Sequence, residues 1–284
     1  MTIVISGGSG TIGSQLVNFF SKKFKVISIY NRKVASRVSG VKYIKYKDIN
    51  QNTFANNNIN MFIHCATKHY NYKGNLILYN VNIFEKILKS FIKKNLKIIN
   101  LSSISVFDAS KDIKITNNTK TISKSNYGKS KILIEKMISR YQDEYLLKAL
   151  SIRLPIVLGV EVNKLTFIGK LINDLKQNKK IILYNKNRLF NHVILIDQLT
   201  KFVFKNYSHL RKGHEFINLG SIRPIKINSL AKLFLNKFKY KKKVIWKKDN
   251  KKNFIIDTSE LKKNKFTDLN TNFIIKKFLK FYCS

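Results

Sequence analysis

Cysteine is scarce in this chain, and so are acidic residues and long apolar runs. The 284 residues include only two cysteines, Cys65 and Cys283, in no recognisable spacing. Two isolated cysteines exclude a disulfide framework or a cysteine-rich zinc site, and they are typical of a reducing compartment. No apolar stretch is long enough to cross a bilayer, and the short apolar start does not resemble a signal peptide. We therefore expect a cytoplasmic protein without a bound metal.

The shortage of acidic residues leaves a large positive charge. The chain has 15 Asp and Glu against 55 Lys and Arg, a formal net charge of +40, and only seven of the basic residues are arginine. Lysine, asparagine and isoleucine are abundant together, as AT-rich codons encourage, so we favour a compositional origin over selection for a polyanionic partner. Such a surface still attracts nucleic acid and acidic membranes non-specifically at low salt.

The densest basic run, Lys237–Lys248, has aromatic residues between its lysines. One interpretation is an RNA or membrane surface, because aromatic faces stack on bases while lysines follow phosphates. The other is a helix end followed by an edge strand whose outward lysines discourage edge-to-edge pairing. We favour the second interpretation. An RNA-binding protein remains the hypothesis from a different functional class.

The N-terminus has the pattern of a nucleotide-binding turn. An apolar run, Met1–Ser6, leads directly into a glycine-rich segment, and a helix is expected from about Thr11 to Lys22. In this strand, turn and helix arrangement, glycines let the backbone approach a pyrophosphate, whose charge is met by free amides and the helix dipole. The segment consists of Gly7, Gly8, Ser9, Gly10, Thr11, Ile12 and Gly13.

The second predicted strand, Lys25–Tyr30, bears on the choice of cofactor. It ends in Asn31, Arg32 and Lys33, whereas an NAD site usually has a carboxylate there to accept hydrogen bonds from the ribose. Arginine suits a ribose phosphate. We therefore expect NADP(H), with NAD(H) as the alternative.

Strands and helices alternate along the rest of the N-terminal half. Further strands are expected at 41–46, 61–65, 96–101 and 147–154, with helices at about 74–94 and 125–141. This alternation predicts an α/β fold, a Rossmann-type doubly wound parallel sheet with a smaller C-terminal substrate-binding domain. We place the NAD(P)-binding domain at 1–160 and the substrate-binding domain mainly at 161–284, with segments around 190–220 returning to the first. A chain of this length can bury both cores.

Tyr127 and Lys131 stand four residues apart in the last of these helices, so they share a helix face. A nearby ammonium favours phenolate and lowers the pKa of a tyrosine from its usual value of about 10. Such a phenol can protonate a carbonyl oxygen, or deprotonate an alcohol, while hydride moves at carbon. The plain alternative is two surface residues on an amphipathic helix.

Several motifs in order resemble the extended short-chain dehydrogenases/reductases, in the group of sugar-nucleotide epimerases, dehydratases and reductases. The glycine segment matches that family's signature, Tyr127 to Lys131 matches its catalytic helix with Glu135 in a familiar place, and Leu101–Phe107 places its catalytic serine at Ser103. The resemblance covers essentially the whole chain. Other matching segments are Asp48–Ile49, His64–Thr67, Asn80–Val81, Arg153–Gly159, Asn191–Asp197, Phe216–Gly220 and Asp257–Ser259.

The resemblance implies roles for individual residues. Ser103 would hold the reacting oxygen, Tyr127 would transfer its proton, and Lys131 would tune Tyr127 and bind the nicotinamide ribose. The implied substrate contacts are Thr67, Ser103, Arg188, Asn191 and Arg223. The implied cofactor contacts are Gly7, Ser9, Gly10, Thr11, Ile12, Gly13, Asn31, Arg32, Asp48, Ile49, Cys65, Ala66, Thr67, Asn80, Tyr127 and Lys131.

Some positions depart from the family pattern or have plain alternatives. Asn191 stands where many members have an arginine for the substrate diphosphate, so Arg188 or Arg223 would bind that group unless both are solvated loop charges. We expect Ser102 to be satisfied by backbone and His64 to be hydrogen-bonded in the core.

The resemblance also implies a reaction. Ile104 and Ser105 occupy the place of the Asp-Glu pair of the dehydratases, which disfavours dehydration. We favour a reductase of keto-sugar nucleotides that uses NADPH with Tyr127 as general acid. The alternative is a nucleotide-sugar 4-epimerase with tightly bound NAD.

A homodimer is also expected, since family members commonly pair the helices at 74–94 and 125–141. A two-fold interface faces itself, so basic residues in it need acidic partners, for which we name Glu85 or Glu135. The seam would consist of Ile132, Leu133, Lys136, Met137 and Arg140.

Overall fold

The computed structural model describes residues 1–31, 33–69, 72–108, 113–159, 162–249, 254–259, 261, 266 and 269–281. The chain forms two compact units. The first contains Met1–Phe107, Lys120–Arg153 and Thr200–Ile217, and the second contains Asp108–Thr119, Leu154–Leu199 and Asn218–Ser284.

The secondary structure alternates through the first half and becomes more irregular in the second. The helices are α1 (Thr11–Phe20), α2 (Leu76–Lys89), α3 (Asn126–Tyr145), α4 (Phe167–Lys176), α5 (Ile196–Asn206), α6 (Ile227–Lys237) and α7 (Thr271–Phe281). The strands are β1 (Thr2–Ser6), β2 (Lys25–Tyr30), β3 (Lys42–Lys45), β4 (Ile59–His64), β5 (Lys97–Ser103), β6 (Ile113–Ile115), β7 (Lys148–Leu154), β8 (Ile156–Leu158), β9 (Ile182–Tyr184), β10 (Leu189–Phe190), β11 (Val193–Leu195), β12 (Gly213–Asn218), β13 (Ile225–Lys226), β14 (Ile245–Lys247) and β15 (Phe254–Ile256).

A seven-stranded sheet forms the centre of the first unit. Its strand order is β12-β7-β5-β4-β1-β2-β3, and β1 pairs in parallel with both β2 and β4. The order reverses between β1 and β4, which is the switch point where doubly wound sheets bind ligands beyond the carboxyl ends of their strands. The predicted α/β, Rossmann-type fold is confirmed.

Burial explains why these segments form strands and helices. The central residues of β1 and β4 are completely buried, as expected for parallel strands covered on both faces. Helix α1 ends two residues earlier than predicted and buries Leu16, Val17 and Phe20, whereas Ile12 and Phe19 keep partial exposure. Helix α3 continues four residues beyond the predicted end and stops at Leu146, which has a left-handed φ of 50°.

Among its described residues, the second unit has its own apolar core and four two-stranded sheets, β8 with β11, β9 with β14, β10 with β13, and β6 with β15. The basic run Lys237–Lys248 covers the end of α6 and the edge strand β14, which confirms the second interpretation of that segment. Its aromatic residues Phe238, Tyr240 and Trp246 pack against the core, and Tyr240 Oη donates to the Lys179 carbonyl at 2.9 Å. These rings are therefore partly covered by the core of the second unit.

Candidate active site

The glycine turn between β1 and α1 is built for close backbone approach. Gly7 has a left-handed φ of +74°, and a Cβ there would lie 2.8 Å from the amide nitrogen of Ala66. A Cβ on Gly13 would lie 2.1 Å from the Gly7 carbonyl oxygen. Helix α1 has Gly10 at its N-cap and therefore no side-chain cap on its first amides. A pyrophosphate fits this turn, because the helix N-terminus offers amide donors and a partial positive charge.

A basic pocket lies beyond the end of β2. It has a volume of about 360 Å³ and is lined by Tyr30, Asn31, Lys33, Val34, Arg37 and Lys45. Three of these residues are cationic, and no carboxylate belongs to the lining. Arg32, on which the NADP prediction depends, lies outside the described residues, as does Cys283. Of the other implied cofactor contacts near this end of the sheet, Asp48 is exposed and Ile49 is buried.

The carboxyl end of β4 is tied to the glycine turn through Ser6. Its hydroxyl accepts from the amides of Cys65 at 3.2 Å and Ala66 at 3.3 Å and lies 2.9 Å from Nδ1 of His64. Because that oxygen already accepts two N–H groups, its own hydrogen is directed at His64 Nδ1. His64 is completely buried, and burial, with a smaller effect of Lys131, holds its pKa well below the usual value. The expectation that His64 is hydrogen-bonded in the core is confirmed.

Asn80 acts as an internal clamp. The side chain is completely buried. Its Oδ1 accepts from the Lys68 amide at 2.8 Å, and its Nδ2 donates to the Lys68 carbonyl at 3.2 Å and to Ser130 Oγ at 3.1 Å. Asn80 therefore joins the segment after β4, which includes the half-buried Thr67, to helix α3. The amide group of Asn80 is thus engaged within the chain, and its expected cofactor contact stays a prediction.

Tyr127 and Lys131 lie together in the first turns of α3, as their spacing predicts. Tyr127 is 8% exposed and Lys131 is 1% exposed. Lys131 Nζ lies 5.9 Å from the centre of the Tyr127 ring and donates to the Leu101 carbonyl at 2.9 Å. Burial lowers the pKa of Lys131 to about 8, although Cys65 and Glu135 oppose this shift. Burial likewise raises the pKa of the Cys65 thiol to about 12.

Ser103 is brought near this pair by a close contact between backbones. It is the last residue of β5, and its Oγ accepts from the Ser105 amide at 3.1 Å in the short 3-10 turn that follows. A Cβ on Gly128 would lie 2.1 Å from the Ser105 carbonyl oxygen. Only glycine at this position lets α3 begin so close to the turn after Ser103. Tyr127 therefore lies beside the strand end that carries Ser103.

A buried ion pair behind Lys131 was missed by sequence reasoning. Arg153 donates to Glu135 through Nε at 3.1 Å and Nη2 at 2.9 Å, and Ser102 Oγ donates to the same carboxylate at 2.6 Å. The expectation that backbone satisfies Ser102 is wrong, because its partner is a side chain. Glu135 as an acidic partner in a dimer is also wrong, because its carboxylate is buried within one chain. The sequence contained one sign that Glu135 lies near the site, because it follows Lys131 by four residues and so shares its helix face.

A second residue missed by sequence reasoning is His69. Its ring stacks on that of Tyr127, with the ring centres 4.9 Å apart and the planes 28° apart. No motif in the sequence marks this position.

The predicted substrate residues of the second unit have different surroundings. Asn191 is buried, and its amide group bonds to Ser221 and twice to the backbone of Ile256, so it ties these segments together, and its expected substrate contact stays a prediction. Arg188 is half-buried and Arg223 is exposed. Neither guanidinium makes a hydrogen bond or ion pair with a described residue, so both remain candidates for the diphosphate.

A metal site and a membrane-spanning helix are both absent from the described part of the chain. It contains no group of His, Cys, Asp and Glu side chains able to hold a metal ion. No described helix is long and apolar enough to cross a membrane.

The fold and this site define a class of enzyme. A Rossmann-type sheet with a glycine turn, and a buried Tyr–Lys pair near the same edge, is the arrangement of nicotinamide-dependent oxidoreductases. The chain belongs to the NAD dependent epimerase/dehydratase family, whose sequence model matches residues 3–219. No curated protein matches this chain at a significant level.

Solved structures of similar fold cover nearly the whole chain. UDP-glucuronic acid 4-epimerase from Bacillus cereus, solved with NAD, has a TM-score of 0.83 at 17% identity over 99% of this chain and 100% of that one. UDP-N-acetylglucosamine 4-epimerase from Methanobrevibacter ruminantium has a TM-score of 0.80 at 19% identity over 99% and 98%. A dTDP-glucose 4,6-dehydratase from Bacillus anthracis, solved with NAD, has a TM-score of 0.79 at 15% identity over 99% and 96%. At these identities the likeness shows the fold.

Proposed function

We propose that this protein is a nucleotide-sugar 4-epimerase that keeps its nicotinamide cofactor bound through the reaction. The observation that carries the proposal is the buried Tyr127–Lys131 pair next to Ser103, at the sheet edge that also holds the glycine turn. The similar structures that are 4-epimerases of UDP-sugars support this reaction over net reduction.

The residues divide the chemistry between them. Ser103 Oγ accepts the Ser105 amide, which leaves its hydrogen free to hold the reacting sugar oxygen. Tyr127 takes the proton of the sugar hydroxyl as hydride leaves the same carbon, and it returns that proton when hydride comes back to the opposite face. Lys131, charged at neutral pH, stabilises the phenolate before the proton is taken and again after it is returned. The cofactor supplies the hydride acceptor and then the donor.

The proposed cofactor contacts lie at the sheet edge that holds the glycine turn. Gly7, Gly10 and Gly13 would hold the pyrophosphate with the amides of Ser9, Thr11 and Ile12, and Cys65, Ala66 and Thr67 would line the nicotinamide side. In the second unit, Arg188 and Arg223 would bind the substrate diphosphate.

Product analysis tests the reaction. A panel of 4-hydroxy and 4-keto nucleotide sugars is incubated with the protein, and the products are identified by mass spectrometry and NMR. Interconversion of C4 stereoisomers without net cofactor consumption is the expected result.

Tyr127→Phe should lower turnover by at least about 10²-fold while cofactor binding stays measurable. Tyr145→Phe, on the same helix, is the matched control, and equal turnover in Tyr127→Phe and wild type would contradict the mechanism.

A second candidate function is reduction of a keto-sugar nucleotide by NADPH. It is favoured by the basic pocket at the end of β2, whose lining of Lys33, Arg37 and Lys45 suits a ribose phosphate and includes no carboxylate. Net oxidation of NADPH with a 4-keto substrate would select this function. Arg32→Ala and Arg37→Ala should then weaken NADPH more than NADH, by roughly 1.5–3 kcal/mol for a charge-assisted bond. Equal weakening of both cofactors would leave NAD(H) as the cofactor.

We also propose a homodimer that pairs α2 and α3 of two chains. The two helices pack together, and α2 exposes Leu78 (56%) while α3 exposes Leu133 (42%) and the basic Lys136 and Arg140. Of the acidic partners considered, only Glu85 is accessible. Light scattering should report a dimer at micromolar concentration, and Leu133→Glu should shift it to monomer. A monomeric wild type would contradict the proposal.

A further inference from the structure

His69 is a large aromatic side chain held on the catalytic tyrosine. It follows the carboxyl end of β4 by five residues, and its imidazole is nearly parallel to the Tyr127 ring at 4.9 Å between centres. This separation and tilt are within the range of offset aromatic stacking. The imidazole therefore covers one face of the phenol that would exchange the proton.

The stack is held from both sides by one buried side chain. Asn80 bonds to both backbone groups of Lys68, the residue before His69, and to Ser130 on α3. Ser130 Oγ in turn donates to the Tyr127 carbonyl at 2.7 Å. The backbones that carry His69 and Tyr127 are thus joined through Asn80 and Ser130. These bonds therefore fix the backbone of Lys68, next to His69, relative to that of Tyr127.

The polar atoms of the imidazole are uncommitted. Among the described residues, neither ring nitrogen of His69 has a hydrogen-bond partner, although the residue is half-buried. Burial, reinforced by the charge of Lys131, lowers the pKa of His69. The ring is therefore neutral at physiological pH, with one N–H donor and one bare nitrogen acceptor. Such a group suits an uncharged hydroxyl, which can accept from one and donate to the other.

The position of Tyr127 decides which hydroxyl can be reached. The reacting oxygen of the substrate must lie within hydrogen-bond reach of the Tyr127 phenol. The nearest further polar atom of a sugar is the oxygen on the adjacent ring carbon. The His69 imidazole, whose centre lies 4.9 Å from that of the Tyr127 ring, is the neighbour of the phenol from which we infer a contact to that oxygen.

We propose that His69 is a specificity-determining residue that hydrogen-bonds the sugar hydroxyl next to the reacting carbon, so that the substrate is a sugar with that hydroxyl free. The inference rests on the proposed function and deepens it by naming the substrate class. It disfavours sugars that are deoxygenated at the adjacent carbon.

A cycle of two substrates and three proteins tests the inference. The substrates are an accepted nucleotide sugar and its analogue without the hydroxyl next to the reacting carbon. The variants are His69→Phe, which keeps the stack but removes both nitrogens, and His69→Gln, which restores a donor and an acceptor. In wild type, removal of the hydroxyl should lower kcat/KM by at least about 10-fold, because a site group is left unpaired. His69→Phe should abolish this preference, and His69→Gln should restore part of it.

The outcomes separate this inference from the proposed function. If His69→Phe keeps the full preference for the hydroxyl, His69 does not contact it and the inference is overturned. If wild type turns over no member of the nucleotide-sugar panel, the proposed function fails instead. Tyr72→Phe, a change in the neighbouring segment, should leave the preference intact, and its loss there would also count against a specific role of His69.

Discussion

At the scale of single residues, the chemistry depends on how burial changes Lys131. Its ammonium is almost completely enclosed, with one hydrogen bond to a backbone carbonyl. Removing a charge from water favours its neutral form, which is why the pKa falls to about 8. The residue is still charged at neutral pH, but it loses that charge within the range in which enzymes are commonly assayed.

This shift predicts an alkaline limb in the rate. We expect kcat/KM to fall as the pH rises through about 8, because Lys131 loses the charge that stabilises the Tyr127 phenolate. Unfolding does not explain such a limb. The unfolded state binds the proton of Lys131 more tightly, so between about 8 and 10.5 this group makes the folded state more stable as pH rises. A pH–rate profile measured beside a pH series of unfolding free energies checks both statements, and a flat profile to pH 10 would contradict the first.

At the scale of elements, the start of α3 decides whether Tyr127 and Ser103 meet. Gly128 lies against the turn after β5 so closely that no Cβ fits. The Ser125 hydroxyl caps the helix by accepting the Gly128 amide at 3.0 Å, which fixes where the first turn begins. The contact between the backbone at Gly128 and the turn after β5 therefore sets the position of Tyr127 and Lys131.

Gly128→Ala should move the first turn of α3 away from the turn after Ser103. Overpacking of this kind costs about 1–3 kcal/mol in stability, and misplacing a catalytic group can cost about 10²-fold in rate. We expect turnover to fall by at least about 10-fold in a protein that still folds. Lys129→Ala, an exposed change one residue later, is the control. Wild-type turnover in Gly128→Ala would show that the contact does not position Tyr127.

The buried ion pair between Glu135 on α3 and Arg153 on β7 should be more important for stability than any surface ion pair. Glu135→Gln leaves the Arg153 charge buried without its counter-charge, which typically costs about 3–5 kcal/mol. It also removes a charge that raises the pKa of Lys131, so the alkaline limb should move to lower pH. Denaturant titration and a pH–rate profile measure the two effects.

Glu144→Gln, exposed on the same helix, is the control for Glu135→Gln and should change stability by less than about 0.5 kcal/mol. The double change Glu135→Leu with Arg153→Met removes both charges and should recover most of the loss. Equal stability of Glu135→Gln and wild type would contradict the interpretation.

At the scale of the whole molecule, histidines shielded from water couple stability to acid, and the largest pKa shifts are those of the buried His64 and the half-buried His192 and His214. Burial lowers the pKa of His214 to about 3 and of His192 to about 4, and it holds that of His64 well below its usual value. His214 is held between Ser139 and Ser151, each at 2.8 Å. All three are neutral in the folded protein.

Stability should therefore fall as the pH drops from 6.5 toward 4. In that range the unfolded chain binds protons that the folded chain does not, so each histidine contributes a slope of up to about 1.4 kcal/mol per pH unit. Unfolding free energies measured from pH 7 to pH 5 check this, and His214→Gln should reduce the slope. His209→Gln, at an exposed position, should leave the slope unchanged. A stability that does not change down to pH 5 would be inconsistent with neutral histidines shielded from water.

The net charge of +40 should act as a diffuse property of the surface. Lys241, Lys242 and Lys243 are exposed, but the aromatic rings around them pack inward. Their replacement by glutamine should leave turnover unchanged, and any RNA binding should collapse between about 50 and 200 mM salt. Filter-binding and turnover assays test this. Sequence-specific RNA binding that persists at physiological salt and disappears with these lysines would support the RNA-binding hypothesis.

The sequence by itself determined the features that depend on neighbouring residues. The glycine turn, the strand and helix order and the Tyr127–Lys131 pair were all predicted, because backbone freedom and helical spacing are encoded in short segments. Helix ends were less accurate, since the end of α3 depends on a left-handed residue that no pattern announces.

Only the tertiary structure decided which distant side chains become partners. The Glu135–Arg153 pair, the Asn80 clamp and the His69 stack join residues that are 18, 50 and 58 positions apart, and each exists because the sheet order places their elements side by side. The sequence shows that Asn80, Glu135 and Asn191 are polar, but it does not show that they are buried or which groups are their hydrogen-bond partners. Glu135 changed from an expected dimer contact to an internal tie, and Asn80 and Asn191 are held by internal bonds as well, because a buried polar group must take whichever partner the fold brings to it.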